Sequence, residues 1–264
     1  MTVFTKFGSY GYIHHRALNS FGALSDARNI VRENPGRVHI YEGDICWDFS
    51  AGREELYFRH PKYVFDRLAA EEIAAGRTGG SLVTIKDLEP LKDDPAFIVV
   101  ELKVGRGDTK TALEKLLAFM NRHFFGRFWI DGFSLKLLRL VKDIDPSVAV
   151  TLHTECVSGT HVLAAAPQSP MVRIVKLADL QFIDGIAVRW RFGPGFMRRA
   201  AESVHAARKA LLISRIHDLD QFRCSLEWRA CAGYVHGDFQ ELIAEDDRFR
   251  QASQSSPSHA EIPD

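Results

Sequence analysis

Two carboxylates separated by a single residue, Glu42 and Asp44, close the apolar run Val38-His39-Ile40-Tyr41. Side chains alternate along an extended chain, so both acids project to the same side. Like charges held together away from water must be neutralised by a cation or by hydrogen-bond donors. A divalent ion with oxygen ligands, Mg²⁺ or Ca²⁺, meets that need. A solvated strand end or a set of salt bridges is the alternative. Around the pair stand His14-His15-Arg16, His60-Pro61 and the run Phe97-Ile98-Val99-Val100-Glu101-Leu102-Lys103. Histidines near clustered carboxylates point to a metal site with acid–base chemistry, and so to an enzyme. His14 and His15 are adjacent and face opposite ways, so at most one of them enters such a site.

The elements that must hold these residues are short apolar runs alternating with amphipathic segments. Candidate strands run over 7–14, 38–45, 96–103, 127–131, 148–153, 184–190, 210–216 and 233–238. Ala112-Leu113-Leu116-Leu117-Met120 and Phe196-Ala200-Val204-Ala207 have helical spacing, and 134–141 and 218–230 suit shorter helices. Strands interleaved with helices imply parallel βα units. Eight of them suit a (β/α)₈ barrel, which needs about 250 residues. A doubly wound open sheet is the alternative, but no glycine-rich fingerprint follows the first strand. In a barrel the active site lies at the C-terminal ends of the strands, where His15, Glu42, Asp44, Glu101, Lys103, His153, Arg189, Arg191, His236 and Asp238 collect.

Two stretches interrupt the alternation. Residues 46–95 hold a strand extension over Glu55 to His60, a helix near Lys62 to Ala75 and a glycine-rich turn at 76–80; this insertion after the second strand is placed to cover the barrel mouth. Residues 156–180 resist assignment. The reading is one barrel domain over 1–250 and a disordered Ser-, Pro- and Gln-rich tail over 251–264.

With 46% hydrophobic and 26% charged residues, the 264-residue chain has the make-up of an ordinary globular protein. Its formal net charge of zero gives no global field for nucleic acid or an anionic membrane. No apolar run reaches the roughly 18 residues of a membrane span, and no basic, then apolar, leader is evident. Cys46, Cys156, Cys224 and Cys231 lack zinc spacing and do not suggest a disulfide scaffold. A reducing, cytoplasmic setting is expected.

Taken in order, His15-Arg16, Glu42-Gly43-Asp44, His60 and Glu101-Leu102-Lys103 resemble the motif set of the glycerophosphodiester phosphodiesterases. That family belongs to the phosphatidylinositol-phospholipase-C-like barrels, with the spider-venom phospholipases D. The likeness covers residues 8–103, and Gly233-Tyr234-Val235-His236-Gly237-Asp238 resembles the family's last strand. Ala17 replaces the glycine of the family's His-Arg-Gly motif, and Pro61 replaces the aspartate of its His-Asp motif. The family's Pro-Glu-Asn-Thr segment has only Asn19-Ser20 as a trace. These departures flank the substrate pocket more than the metal.

The resemblance implies that Glu42, Asp44 and Glu101 ligate Mg²⁺ or Ca²⁺. It casts His15 and His60 as general base and acid, and Arg16 and Lys103 as holders of the non-bridging oxygens. A substrate hydroxyl beside the phosphate would attack first, leaving a cyclic phosphodiester that water opens. The implied partner is a small glycerophosphodiester-type substrate, with no nucleic acid and no stable membrane association; the sequence leaves the oligomeric state open. A different diester (a sugar-phosphate diester or a lysophospholipid), the same chemistry run towards synthesis, and a barrel that binds phosphorylated ligands without turnover are the alternatives. His153, Arg189, Trp190, Arg215, His217 and His236 are further candidates for the pocket, His153 and Trp190 for substrate contact. Trp190 would stack on the substrate or pack in the core; Arg189 and Arg191 share the strand face opposite to it.

Overall fold

Runs rich in Val, Ile and aromatic residues favour extended chain, and amphipathic crossovers between them bring successive strands into parallel pairing. In the computed structural model these runs close into a barrel. The structure describes residues 3–50, 52, 54–60, 82–165 and 172–255. Its strands are β1 (Gly11–His14), β2 (Val38–Phe49), β3 (Glu55–Phe58), β4 (Val83–Thr84), β5 (Phe97–Gly107), β6 (Phe128–Gly132) and β7 (Val150–Thr154). They continue with β8 (Cys156–Ser158), β9 (His161–Ala165), β10 (Val172–Lys176), β11 (Gly185–Arg189), β12 (Ala210–Ile216) and β13 (Ala232–Val235). β1 pairs in parallel with both β2 and β13, so β1, β2, β5, β6, β7, β11, β12 and β13 form a closed parallel ring of eight. The open-sheet alternative is thereby excluded.

Between the strands lie α1 (Phe21–Glu33), α2 (Thr109–Phe124), α3 (Leu135–Ile144), α4 (Pro194–Ala206), α5 (Leu219–Glu227) and α6 (Phe239–Ser255). Ser20, Asp108, Ser134 and Asp218 cap the first turns of α1, α2, α3 and α5 through their side-chain oxygens. Proline at the first position of α4 begins that helix, its fixed φ suited to a first turn. The last helix is tied to the barrel by Asp246, which accepts from Tyr12 Oη at 2.8 Å and pairs with Arg37 at 2.9 Å.

Two-residue periodicity divides the side chains between two cores. Ile13, Ile40, Val99, Trp129, Ala149, Ala187, Leu212, Ala232 and Tyr234 turn inward and fill the barrel. Their neighbours one position along, such as Ile98, Val100, Ile130, Ile186, Val188, Leu211 and Ile213, pack in the outer core with the helices. A 3₁₀ turn at Val3–Lys6 adds Val3 and Phe4 to the inner core, with the Phe4 ring edge-on to Trp129 at 5.4 Å.

Several boundaries differ from those expected. Phe7 is not part of β1; its ring meets Phe97 at 4.9 Å. β2 runs past Ile45 to Phe49 because β3 pairs antiparallel to it, Ile45 opposite Phe58. Residues 156–176 hold a separate antiparallel sheet of β8, β9 and β10. The eighth strand ends at Val235, and Asp238 instead accepts from the backbone of Gln240 at 2.8 Å as α6 begins. α6 continues to Ser255, into the segment expected to be disordered, while 256–264 lie outside the described residues. The helix expected near 62–75 and the turn at 76–80 also lie outside them.

His14 faces the helices. Its ring stacks on Phe239 at 4.2 Å, and its Nε2 lies 3.0 Å from His39 Nδ1. His39 Nε2 lies 3.1 Å from the Asn34 carbonyl, which can only accept, so His39 carries its proton on Nε2 and His14 donates to Nδ1. Burial lowers the His14 pKa from 6.5 to about 3. The unfolded chain therefore binds a proton at His14 below about pH 6.5 that the folded chain refuses until about pH 3. Stability should fall as pH drops through this window, by about 2 kcal/mol at about pH 5 from His14 alone. Thermal unfolding followed by circular dichroism across this range checks it; His14→Gln should flatten part of the fall.

Candidate active site

The strand register gathers the acids. Asp44 on β2 stands opposite Glu101 on β5, and Glu101 stands opposite Asp131 on β6. All lie on the inward face set by Ile40, Val99 and Trp129, and Glu42 is one inward step below Asp44. The residue between the two β2 acids faces outward against its neighbours. A Cβ on Gly43 would meet Leu18 Cβ at 2.5 Å and Phe58 Cδ1 at 2.6 Å, which is why glycine separates the acids.

Glu42, Asp44 and Glu101 are all buried and offer oxygen atoms within 4.8 Å of one another. At that spacing two carboxylates repel by on the order of 3 kcal/mol at an effective dielectric of about 20. Lys103 Nζ sits between Asp44 Oδ1, at 2.8 Å, and Glu101 Oε1. Asn19 clamps Asp44 from the side: its Nδ2 donates to Oδ2 at 2.6 Å and its Oδ1 accepts from the Asp44 amide at 2.9 Å. The Arg16 amide donates to Glu42 Oε2 at 2.5 Å from a left-handed backbone with φ of 60°. Holding a non-glycine residue there costs free energy, which this hydrogen bond and the Arg16 Nε contact with Asp44 Oδ2 at 3.5 Å help offset.

Lys103 does not neutralise the cluster completely. Burial and then the charges of Asp44 and Glu101 push the Glu42 carboxyl well above its ordinary range. Burial also raises Glu101, although Lys103 and His153 oppose it. Burial would raise Asp44 too, but Lys103, Asn19 and the nearby His60 ring outweigh it and hold this carboxyl low. For Lys103 burial disfavours the charge, and Glu101 and Asp44 restore it beyond the usual value. Among the described residues, Glu42 Oε1 is buried without a hydrogen-bond partner. Three hard oxygen donors, one of them orphaned, with excess negative charge fit a divalent cation.

His15 follows β1 on the inward side, its ring 4.4 Å from that of His236. Burial, then His236 and Arg16, lower its pKa to about 3, so it stands neutral. His236 is lowered to about 4 by burial and by His217, Arg215 and Arg16. The Arg59 amide donates to the Asp44 carbonyl at 2.7 Å, which brings the end of β3, and His60 with it, alongside the acids. Of the two adjacent histidines, His15 is thus the one at the mouth.

Two expected contacts change character. Trp190 follows β11 with the outward parity of Val188 and stacks on Trp228 at 5.3 Å against the outer core. It is the core aromatic of the two readings, and the inward face belongs to Arg189. His153 is buried with its Nε2 already engaged, 2.6 Å from Asp131 Oδ2 and 3.1 Å from Tyr234 Oη. Tyr234 Oη also donates to Asp131. Burial would lower His153, but the charge and hydrogen bond of Asp131 raise it above its ordinary value. Asp131, Tyr234 and the Asn19 clamp were not singled out in the sequence as parts of the site. The signal for Asp131 and Tyr234 was their inward parity on the barrel strands; for Asn19 it was the trace of the Pro-Glu-Asn-Thr segment after His15-Arg16.

An eight-stranded parallel barrel carrying a carboxylate triad, a lysine and a histidine at its strand ends defines the class of this protein. Its fold is shared with solved glycerophosphodiester phosphodiesterases. A phosphodiesterase from Oleispira antarctica, in complex with the product sn-glycerol-3-phosphate, superposes with a TM-score of 0.64 at 14% identity over 94% of this chain and 100% of that one. The glycerophosphodiester phosphodiesterase of Parabacteroides distasonis gives 0.60 at 13% identity over 93% and 98%. That of Agrobacterium tumefaciens gives 0.59 at 17% identity over 89% and 99%. No family model and no curated protein sequence matches the chain.

Because Gly43 is pressed by Leu18 and Phe58, Gly43→Ala should cost about 1–3 kcal/mol of stability through overpacking. Chemical denaturation of the two proteins measures this directly.

Proposed function

We propose that this protein is a divalent-cation-dependent phosphodiesterase acting on a small glycerophosphodiester-type substrate. The observation that carries the reading is the buried triad Glu42, Asp44 and Glu101, with an orphaned oxygen and with Lys103 and His15 beside it, at the strand ends. The shared barrel supports it, as does the glycerol phosphate held by the Oleispira antarctica enzyme.

Glu42, Asp44 and Glu101 would hold Mg²⁺ or Ca²⁺, which when bound supplies Lewis-acid polarisation of the phosphoryl group. His15, just past the end of β1 at the mouth, is the group placed to accept a proton from the attacking hydroxyl. That hydroxyl, beside the phosphate on the substrate, attacks phosphorus, and His60 returns a proton to the departing alcohol. A cyclic phosphodiester remains, and water opens it with the proton transfers reversed. Arg16 and Lys103 orient the non-bridging oxygens through charge-assisted hydrogen bonds. His153, paired with Asp131, favours the charged form of Glu101.

No helix among the described residues is long and apolar enough to cross a membrane. No disulfide joins any of the four cysteines, in keeping with a reducing compartment such as the cytoplasm.

Hydrolysis of glycerophosphodiesters should disappear in excess chelator and return with Mg²⁺ or Ca²⁺; undiminished turnover in chelator would sink the cation. His15→Ala and His60→Ala should each lower kcat by about 10²- to 10⁴-fold with little change in Tm. The cation has a second readout that does not depend on turnover. Without divalent ions, Glu42→Gln should melt above the native chain because it removes a buried like charge. Adding Ca²⁺ or Mg²⁺ should raise the Tm of the native chain and leave that of the variant nearly unmoved.

A further inference from the structure

The mouth of the barrel carries a second charged cluster, opposite in sign to the first. Glu155 lies two residues beyond His153 and is buried; it accepts from Arg189 Nη1 at 2.6 Å and from Arg191 Nη1 at 2.8 Å. Arg189 continues the inward face of Ala187, and the Arg191 side chain is 60% exposed at the rim.

A third arginine is brought in by an irregularity of β12. Ile213 pairs with Gly233 and Ile216 with Val235, so β12 has one residue more than β13 over this stretch. Ile213 and Ile216 both pack in the outer core, which leaves Ser214 and Arg215 together between them on the side of the mouth. Arg215 takes a left-handed φ of 69° at this bulge. Bulges beside active sites re-aim side chains, and a left-handed arginine costs free energy that a regular strand would not incur.

Arg215 is exposed and has no ion-pair partner within 4.0 Å among the described residues. Burial of part of its guanidinium, and then the charge of Arg189, disfavour its protonated form; Glu155 opposes this, and Arg191 and Arg16 add to it. The three arginines Arg189, Arg191 and Arg215 against the one carboxylate of Glu155 leave this part of the rim net positive. Arg16, which pairs with Asp44 of the acidic triad, joins this rim to the proposed metal site. Like charges kept in one another's field on a strained bulge are an expensive way to build a rim that binds nothing. They are an inexpensive way to receive an oxyanion, which guanidinium forks bind in bidentate fashion.

Resting on the phosphodiesterase reading above, we propose that Arg189, Arg191 and Arg215 form a subsite for a second anionic group, a carboxylate or phosphomonoester, on the substrate beyond its diester phosphate. Glu155 is a positioning residue that holds Arg189 and Arg191 apart and parallel.

Two pairs of probes, each differing by one anionic group, test this. The first is glycerophosphoserine against glycerophosphoethanolamine. The second is glycerophosphoglycerol bearing a terminal phosphomonoester against glycerophosphoglycerol itself. Affinities are measured by calorimetry on the His15→Ala protein with Ca²⁺ present, so that binding is read without turnover. In at least one pair the more anionic member should bind about tenfold or more tightly, and the pair that shows this identifies the group. Adding Arg191→Gln and Arg215→Gln should reduce that ratio to within about twofold, with the far-ultraviolet spectrum and Tm retained. Equal binding within both pairs, or a preference that survives the double substitution, overturns the subsite. Absence of turnover of all four diesters by the native chain would instead overturn the phosphodiesterase reading, while the binding ratios still decide the subsite.

Discussion

Three carboxylates inside the upper barrel repel one another where water cannot screen them, and the neighbouring structure is arranged around that repulsion. The layer beneath them is apolar, with Ile13, Ile40, Val99 and Trp129 excluding solvent. Such surroundings strengthen both the repulsion among Glu42, Asp44 and Glu101 and any attraction to a cation. The counter-groups come from separate parts of the chain: Lys103 from β5, Asn19 from the turn after β1, and the Arg16 amide from a left-handed residue. They fix the positions of the acids without cancelling their charge. The raised Glu42 carboxyl and its unpartnered oxygen record what is left over.

The neighbouring polar network shows the contrast. Asp131 is as deeply buried as Asp44, yet its Oδ2 receives both the Tyr234 hydroxyl and His153. That network satisfies both oxygens of its own buried carboxylate, as a supporting element requires. A binding site for an external ion needs the opposite condition, with donor atoms held in place and left wanting. By this criterion the acids divide into a triad left able to receive an ion and an Asp131–His153–Tyr234 group that satisfies itself, although all lie within inward positions of one barrel.

Much of this was legible because strand parity is strict. Once the runs around Ile40, Val99 and Trp129 are strands of a barrel, Glu42, Asp44 and Glu101 must share the interior, and His15 must enter where His14 does not. Parity also turned Arg189 inward and Trp190 outward, leaving the tryptophan to stack on Trp228. What depends on contacts between distant parts of the chain was not legible. The extension of β2 comes from pairing with β3, and the sheet of β8, β9 and β10 from an antiparallel return through a segment with few periodic cues. The Asn19 clamp rests on one side chain meeting an amide 25 residues away. Arg215 was a pocket candidate from the sequence, but the residue that β12 gains against β13, which brings it to the mouth, is marked by no local pattern.

A net charge of zero conceals how unevenly charge is distributed at the mouth. The β2–β5 side is acidic and the β11–β12 side is basic, with Arg16 between them. At physiological salt the screening length is about 8 Å, so a distant anion feels little of either side. Within the mouth the two sides act separately, and at short range they favour opposite partners. The acidic side repels an anion until a cation occupies it, whereas the basic side attracts one throughout. An elongated anionic molecule entering before the cation is therefore drawn towards β11 and β12. With the cation in place both ends of the mouth favour negative charge, and the separation of the two clusters becomes a measure of how far apart the anionic groups of a well-matched ligand must lie.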